Sequence, residues 1–376
     1  MNKNISVIVV LFISVLITAQ NKYADIDKKI LPISKTPIKS TREVAHFIDN
    51  QYKTDEEKIR AIYVFTANYL TYDLDNMFAI NLHESEENKI QKALITKKGI
   101  CENYAAIFLD LCLSSGIKSY PVVGYTKQNG FVDYVPHVWC AALINNKWIL
   151  FDPTWASGYI QNKKFVKKFS EQYYAITPSN LIKTHMPFDY LWQFLNYPIT
   201  SQEFSEGKTS INTSKPYFDF LNAIQEYENQ KKIEQAKSSI VRIEKNGVKH
   251  ALIFEYLKNL KVEVENEKYD IYNSSTIDYN NSIRYYNEFI NYRNHQFNPP
   301  KSDLEIKEML DLARTATIQT KNKLLKIEKP EARLNQLMAQ LYLSIDEMNL
   351  KIDEQETWLK EYLSKSKFKR KFMFLR

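Results

Sequence analysis

Apolar residues recur at helical spacing along the first half of the chain, then change to strand spacing. Ile59, Ile62, Phe65 and Tyr69 form one stripe, preceded by Thr54-Asp55-Glu56-Glu57. The Thr-x-x-Glu form is that of a capping box, so the pattern predicts a helix from there to about Leu70. Shorter helices are expected over Thr41–Gln51 and Asn88–Thr96, and a further one over Cys101–Ser115, stopped by Gly116. Beyond it the period becomes two. Tyr120–Thr126 reads as a strand, Gln128-Asn129-Gly130 as a turn, and His137–Ile144 and Lys147–Phe151 as a hairpin closed by Asn145-Asn146. Helices followed by antiparallel strands describe an α+β domain, expected over residues 41–204.

The flanks differ in character. Ile5–Ile17 is an almost unbroken apolar run behind Lys3, and Thr18-Ala19 precedes Gln20. This reads as an export signal over residues 1–19, too short for a spanning helix; retention as an anchor is the alternative. Residues 20–40 have weak periodicity and are expected to be an extended lead-in. Residues 205–216 are polar and contain Gly207, which fits a linker. Residues 217–376 are charged and helical, with pieces at Tyr217–Glu244, Ala251–Val264, Thr276–Gln296, Asp303–Ile327 and Glu331–Ser366. They predict an all-helical C-terminal domain, a bundle or long hairpin. The basic, Phe-containing tail Lys365–Arg376 reads as a solvated helix end rather than a membrane-surface segment.

The chain has 376 residues and a net charge of +7, with basic residues spread evenly, so charge gives no reason to expect nucleic acid. Its three cysteines, Cys101, Cys112 and Cys140, are an odd count. In an exported chain at least one thiol must stay free or pair outside the chain, which favours a reactive cysteine.

Cys101 stands at an exposed helix start after Gly99 and Ile100, where backbone N–H groups and the helix dipole favour a thiolate. Cys112, three turns on, reads as a buried apolar residue. A nucleophilic cysteine needs a base. His137 begins a strand and shares a face with Trp139, while Cys140 faces the other way, so a Cys–His metal pair is not expected. Pairing residues whose numbers sum to about 291 sets 139 opposite 152, with His137 one diagonal step away. Asp152 can therefore orient the imidazole, completing a nucleophile–base–acid set.

The stretches "GICENYAAIFLDLC", "PHVWCAALINNKWILFDPTW" and "TDEEKIRAIYVFTANYLTYD" resemble the transglutaminase-like superfamily. "YYAIT" and "THMPFDYLWQFL" are similar to the trailing segment of bacterial and kyphoscoliosis-peptidase-like members. The resemblance spans about Thr41 to Phe204 and implies a papain-like fold in which a helix bearing the cysteine packs on an antiparallel sheet. It implies Cys101 as nucleophile, His137 as base and Asp152 as acid. Many members have glycine two residues after the nucleophile; here Asn103 stands there and is expected to narrow the cleft. Lacking an upstream tryptophan, the chain offers Tyr72 as an oxyanion donor. Asn103, Tyr104, Trp139 and Trp155 are the expected cleft residues.

The function implied is an exported cysteine peptidase or acyltransferase acting on protein or peptide substrates through a thioester, with hydrolysis favoured over crosslinking. No cofactor or metal is expected, and no acidic calcium loop is present. The helical half is expected to meet a protein partner or envelope surface, with no transmembrane span after signal cleavage. The alternative is a non-catalytic binding or scaffold protein of the cell envelope that kept the fold.

Overall fold

The structure, a computed structural model, describes residues 22–82 and 84–374. The expected export signal lies outside the described residues. The chain divides into two compact units, one ending at Lys258 and the other beginning at Asn259.

The first unit opens with a helix, α1 (Ala24–Lys35), where an extended lead-in was expected. Ile26 and Ile30 are buried on it, and Pro32 sits inside it. Burial of an arginine explains part of the difference. Arg60 is 2% exposed and donates to both carboxylate oxygens of Asp27 and to Glu171. A buried guanidinium must be paired, and Asp27 on α1 supplies the pairing from 33 residues away.

α2 (Thr41–Gln51) and α3 (Asp55–Tyr69) follow the sequence pattern. Thr54 accepts from the Glu57 N–H at 3.3 Å, and the Glu57 carboxylate accepts from the Thr54 N–H at 3.1 Å, closing the capping box. A two-residue strand β1 (Thr71–Tyr72) pairs in parallel with β2 (Lys98–Gly99), which follows α4 (Glu86–Thr96). α5 (Cys101–Ser114) then runs through the core, with Tyr104, Ile107, Phe108, Leu111 and Cys112 buried.

The main sheet contains β3 (Ser119–Gln128), β4 (Phe131–Val132), β5 (His137–Ile144) and β6 (Lys147–Phe151), antiparallel in the order β4-β3-β5-β6. Asn145 and Asn146 both take positive φ, 50° and 61°, as a tight hairpin turn demands. Cys140 pairs with Phe151, which is the register inferred from the sequence. Side chains therefore alternate. Val138, Cys140, Ala142 and Ile144 join the core around α5, whereas Trp139 and Ala141 join Trp148, Leu150, Leu191 and Phe194 on the other face.

Short elements complete this unit: α6 (Pro153–Ser157), the hairpin β7 (Gly158–Gln161) and β8 (Lys164–Lys167), α7 (Pro178–Leu181) and β9 (His185–Pro187). β9 pairs antiparallel with β3, so Gly124 stands between His137 of β5 and Pro187 of β9. A Cβ at Gly124 would lie 2.1 Å from the Met186 carbonyl oxygen and 2.7 Å from Trp139 Cη2. No other residue permits that approach.

After α8 (Ser201–Ser205), residues 206–219 form neither helix nor strand. α9 (Phe220–Asn229) and α10 (Lys232–Asn246) belong to the first unit, although the sequence placed them in the C-terminal domain. Ile224 is buried among Trp148, Leu181 and Phe194. Arg242 reaches back to Asp189, whose oxygens also accept from Ser239 and the Leu191 N–H. Amphipathicity shows that such helices bury a face, but not against which element.

α11 (Ala251–Asn294) is one helix of 44 residues, where two pieces were expected. Nothing between Val264 and Thr276 is glycine or proline, so polar composition alone does not stop it. The boundary between the units falls within it. In the second unit α12 (Asp303–Leu324) and α13 (Ala332–Leu363) join its later part around Ala313, Met348 and Ile352. The basic tail is anchored here at Arg370 and Phe374, while residues 366–369, 371 and 372 stay exposed. Arg370 pairs with Asp303 at 2.6 Å, and Phe374 packs near Tyr362 and Trp358. Among the described residues no helix is long and apolar enough to cross a membrane.

Candidate active site

Cys101 is the first residue of α5, held in place by the β1–β2 pair: Tyr72 lies opposite Gly99, two residues before the thiol. Cys101 is only 2% exposed, yet it lines a cavity of about 610 Å³. The exposed helix start expected from the sequence is thus a thiol reached through a cleft.

His137 begins β5, and Asp152 follows β6. The hairpin register brings them together, with His137 Nε2 2.7 Å from Asp152 Oδ2. Cys101 and His137 line the same cavity, and the sulfur is near enough to help raise the imidazole. With Nε2 turned to the carboxylate, Nδ1 is the nitrogen left for the sulfur.

Asp152 is fully buried and fully bonded. Its Oδ1 accepts from the Thr154 and Trp155 N–H groups at 2.9 and 3.0 Å, capping α6. Its Oδ2 accepts from His137 and also from His185 Nε2 at 3.1 Å. Burial opposes ionisation, but the two imidazoles outweigh it and hold the Asp152 carboxyl well below the usual carboxylate range. Burial likewise works against a charged His137. The Asp152 carboxylate and the Cys101 sulfur overcome it and push the imidazole up to about 10. His185 responds the other way: burial dominates and lowers it.

His185 was not among the candidates read from the sequence. It arrives through β9, a three-residue strand carrying no periodic signal, and it touches Asp152 from 33 positions away. His137, Asp152 and His185 bring three metal-competent atoms within 4.8 Å. The 2.7 and 3.1 Å separations are hydrogen-bond lengths, with the oxygen shared between two ring N–H groups.

The cavity wall includes Tyr72 and Trp155, as expected, together with Met77, Tyr134, Tyr159 and Phe165. Asn103, Tyr104 and Trp139 are placed elsewhere. Asn103 Oδ1 accepts from the Ile100 N–H at 2.9 Å and its Nδ2 donates to the Lys89 carbonyl at 3.0 Å. It steadies the start of α5 and does not narrow the cleft. Tyr104 is fully buried, donating to the Leu70 carbonyl at 3.0 Å. Trp139 is 1% exposed and lies behind the histidines, its ring 5.2 Å from that of His185. Cys112 and Cys140 are buried free thiols, both raised by burial.

Residues 42–153 match the family model of the transglutaminase-like superfamily, a span that includes Cys101, His137 and Asp152. The chain carries a transglutaminase-like domain. The kyphoscoliosis peptidase of Homo sapiens is 30% identical over 162 residues, covering 41% of this chain and 24% of the relative. That of Mus musculus is 28% identical over 183 residues, covering 46% and 27%. The chain thus spans about a quarter of the length of these curated relatives. A solved TGase structure is 21% identical, covering 41% of this chain and 43% of its own, at a TM-score of 0.25. The transglutaminase-like match ends at residue 153, so His185 lies beyond it.

Proposed function

We propose that this chain is an exported cysteine enzyme that acts on amide bonds of proteins or peptides through Cys101, His137 and Asp152. One observation carries the reading. The His137 imidazole, bonded to a fully buried carboxylate, lines the same cavity as a thiol at a helix start. An imidazolium beside the sulfur balances a thiolate. The thiolate attacks the carbonyl carbon and forms the C–S bond. The oxyanion meets the Cys101 backbone N–H, which has no intrahelical acceptor, and the Tyr72 hydroxyl on the cavity wall. Collapse breaks the C–N bond, and His137 gives its proton to the leaving amine. Water then attacks the thioester while His137 takes a proton from it, and collapse breaks the C–S bond, releasing the carboxylic acid product and the Cys101 thiolate.

Hydrolysis is the reading preferred over crosslinking, because the sequence carries no motif that marks an amine-binding site or an acidic calcium loop.

The test incubates the purified chain with casein and a fluorescent primary amine, with Cys101→Ala as control. Release of new amino termini without amine incorporation is expected. Amine incorporation without cleavage would overturn the hydrolytic reading. Failure of iodoacetamide to modify Cys101 ahead of Cys112 and Cys140 would overturn the thiol mechanism itself.

A further inference from the structure

The proposed reaction uses one face of Asp152 and one histidine. It leaves unexplained a second, fully buried histidine bonded to the same oxygen. We propose that His185 acts on the reaction through Asp152: by donating its Nε2–H to the oxygen that also receives His137, it weakens that carboxylate's hold on the His137 proton. The inference rests on the reading of Cys101, His137 and Asp152 given above.

The tautomer follows from the partners. Asp152 Oδ2 can only accept from His185 Nε2 at 3.1 Å, so Nε2 carries the hydrogen. The Thr184 hydroxyl lies 2.8 Å from His185 Nδ1, nearer than the Leu181 carbonyl at 3.4 Å, and is placed to donate to the ring. Packing fixes the ring. Trp155 meets it edge-on at 4.6 Å and Trp139 at 5.2 Å. His185 is not needed to hold the carboxylate in place, because the Thr154 and Trp155 amides already fix Oδ1. Its separate effect is on charge. A carboxylate that receives an extra N–H is a weaker acceptor for the next donor. An imidazole held too tightly as imidazolium is a poor proton donor to the leaving amine.

Other groups facing this cluster do not replace it. They are Cys101 from α5, Cys140 on β5, Asp133, and the phenols Tyr63, Tyr72, Tyr104 and Tyr173. Burial raises all four phenols, so none ionises in the pH range of the test.

The experiment follows the rate of Cys101 modification by iodoacetamide from pH 3 to 9 in the full chain, His185→Phe and His185→Gln. Phenylalanine keeps ring volume and cannot donate; glutamine restores a donor. Without the second N–H, Asp152 stabilises the imidazolium more strongly and the thiolate appears at lower pH. The lower limb of the profile is expected to move down by about 1 pH unit in His185→Phe and back towards the parent in His185→Gln. An unmoved or upward-moved limb, or equal shifts in both variants, would overturn the proposal. A purely structural role would lower the melting temperature and leave the limb in place.

Should His185→Phe not fold, nitrogen NMR of the unmodified chain decides. A neutral Nε2–H tautomer for His185 at pH 7 is expected. An Nδ1–H tautomer or an imidazolium there would refute the scheme. A parent profile typical of an isolated thiol, near pH 8.5, would instead refute the underlying reading of Cys101, while the NMR result would stand independently.

Discussion

Asp152 Oδ2 lies 2.7 Å from His137 Nε2, in a position where the carboxylate has no solvent exposure at all. The pair works as a unit, and changes to its members should not multiply. Asp152→Asn presents an amide where the ring needs an acceptor, and His137→Ala removes the base. Each should slow acylation of Cys101 by about 10³-fold or more, and the double variant should cost little beyond the worse single one. Acylation rates in the four proteins give the answer; strictly multiplicative losses would mean that the residues act independently.

Stability should follow pH through the same pair. The His137 imidazole, raised from 6.5 to about 10, contributes stability that is complete below about 6.5 and lost as pH climbs through 10. Asp152 is depressed from 3.8, so its contribution is present above that value and disappears as pH falls through the lowered one. The melting-temperature deficit of Asp152→Asn should therefore be larger at pH 5.5 than at pH 9.5. A deficit that grows towards pH 9.5 would count against the charge pair.

The cysteines should separate cleanly. Cys101→Ala should abolish activity with a near-parental melting temperature, since the sulfur faces a cavity that is already open. Cys112 is fully buried in α5. Cys112→Ala should leave Cys101 labelling intact and destabilise by about 1 kcal/mol, measured by denaturant unfolding.

Arg242 tests the covering role of α10. It donates to Asp189 at 2.7 and 2.8 Å, and Asp189 is 3% exposed. Arg242→Ala leaves a buried carboxylate without its counter-charge and should cost about 3 kcal/mol. For the same reason a chain ending at Gly207 should aggregate, because Trp148 and Phe194 lose Ile224 and Tyr227. One ending at Lys258 should stay soluble and keep Cys101 reactive. Light scattering and thiol labelling of the two truncations distinguish these outcomes.

Local rules made much of this legible beforehand. The capping box at Thr54, the helix opening at Cys101 and the Asn145-Asn146 hairpin depend on residues a few positions apart, and the structure places each as read. The hairpin arithmetic brought His137 and Asp152 together because antiparallel pairing is a rule of fixed sums. What escaped depends on distant partners. α1 rests on Asp27 meeting Arg60, and α9 and α10 cover the sheet through Ile224 and Arg242. Asn103 was read by its distance from Cys101 along the chain. Its direction is instead set by two backbone groups, at Ile100 and Lys89. His185 depends on β9 finding the free side of β3, a pairing that no spacing in the sequence announces.

The bare backbone at Gly124 gives that pairing a narrow tolerance. A methyl group there would have to displace the Met186 carbonyl by on the order of 1 Å to reach ordinary contact. His185 is the neighbour of Met186, and its bond to Asp152 is already 3.1 Å long. A shift of that size in the strand that carries His185 is enough to take its ring out of hydrogen-bonding range of Asp152. One hydrogen atom in place of a side chain, on the strand whose Thr126 and Gln128 line the cavity, thus sets the clearance within which the second imidazole stays engaged.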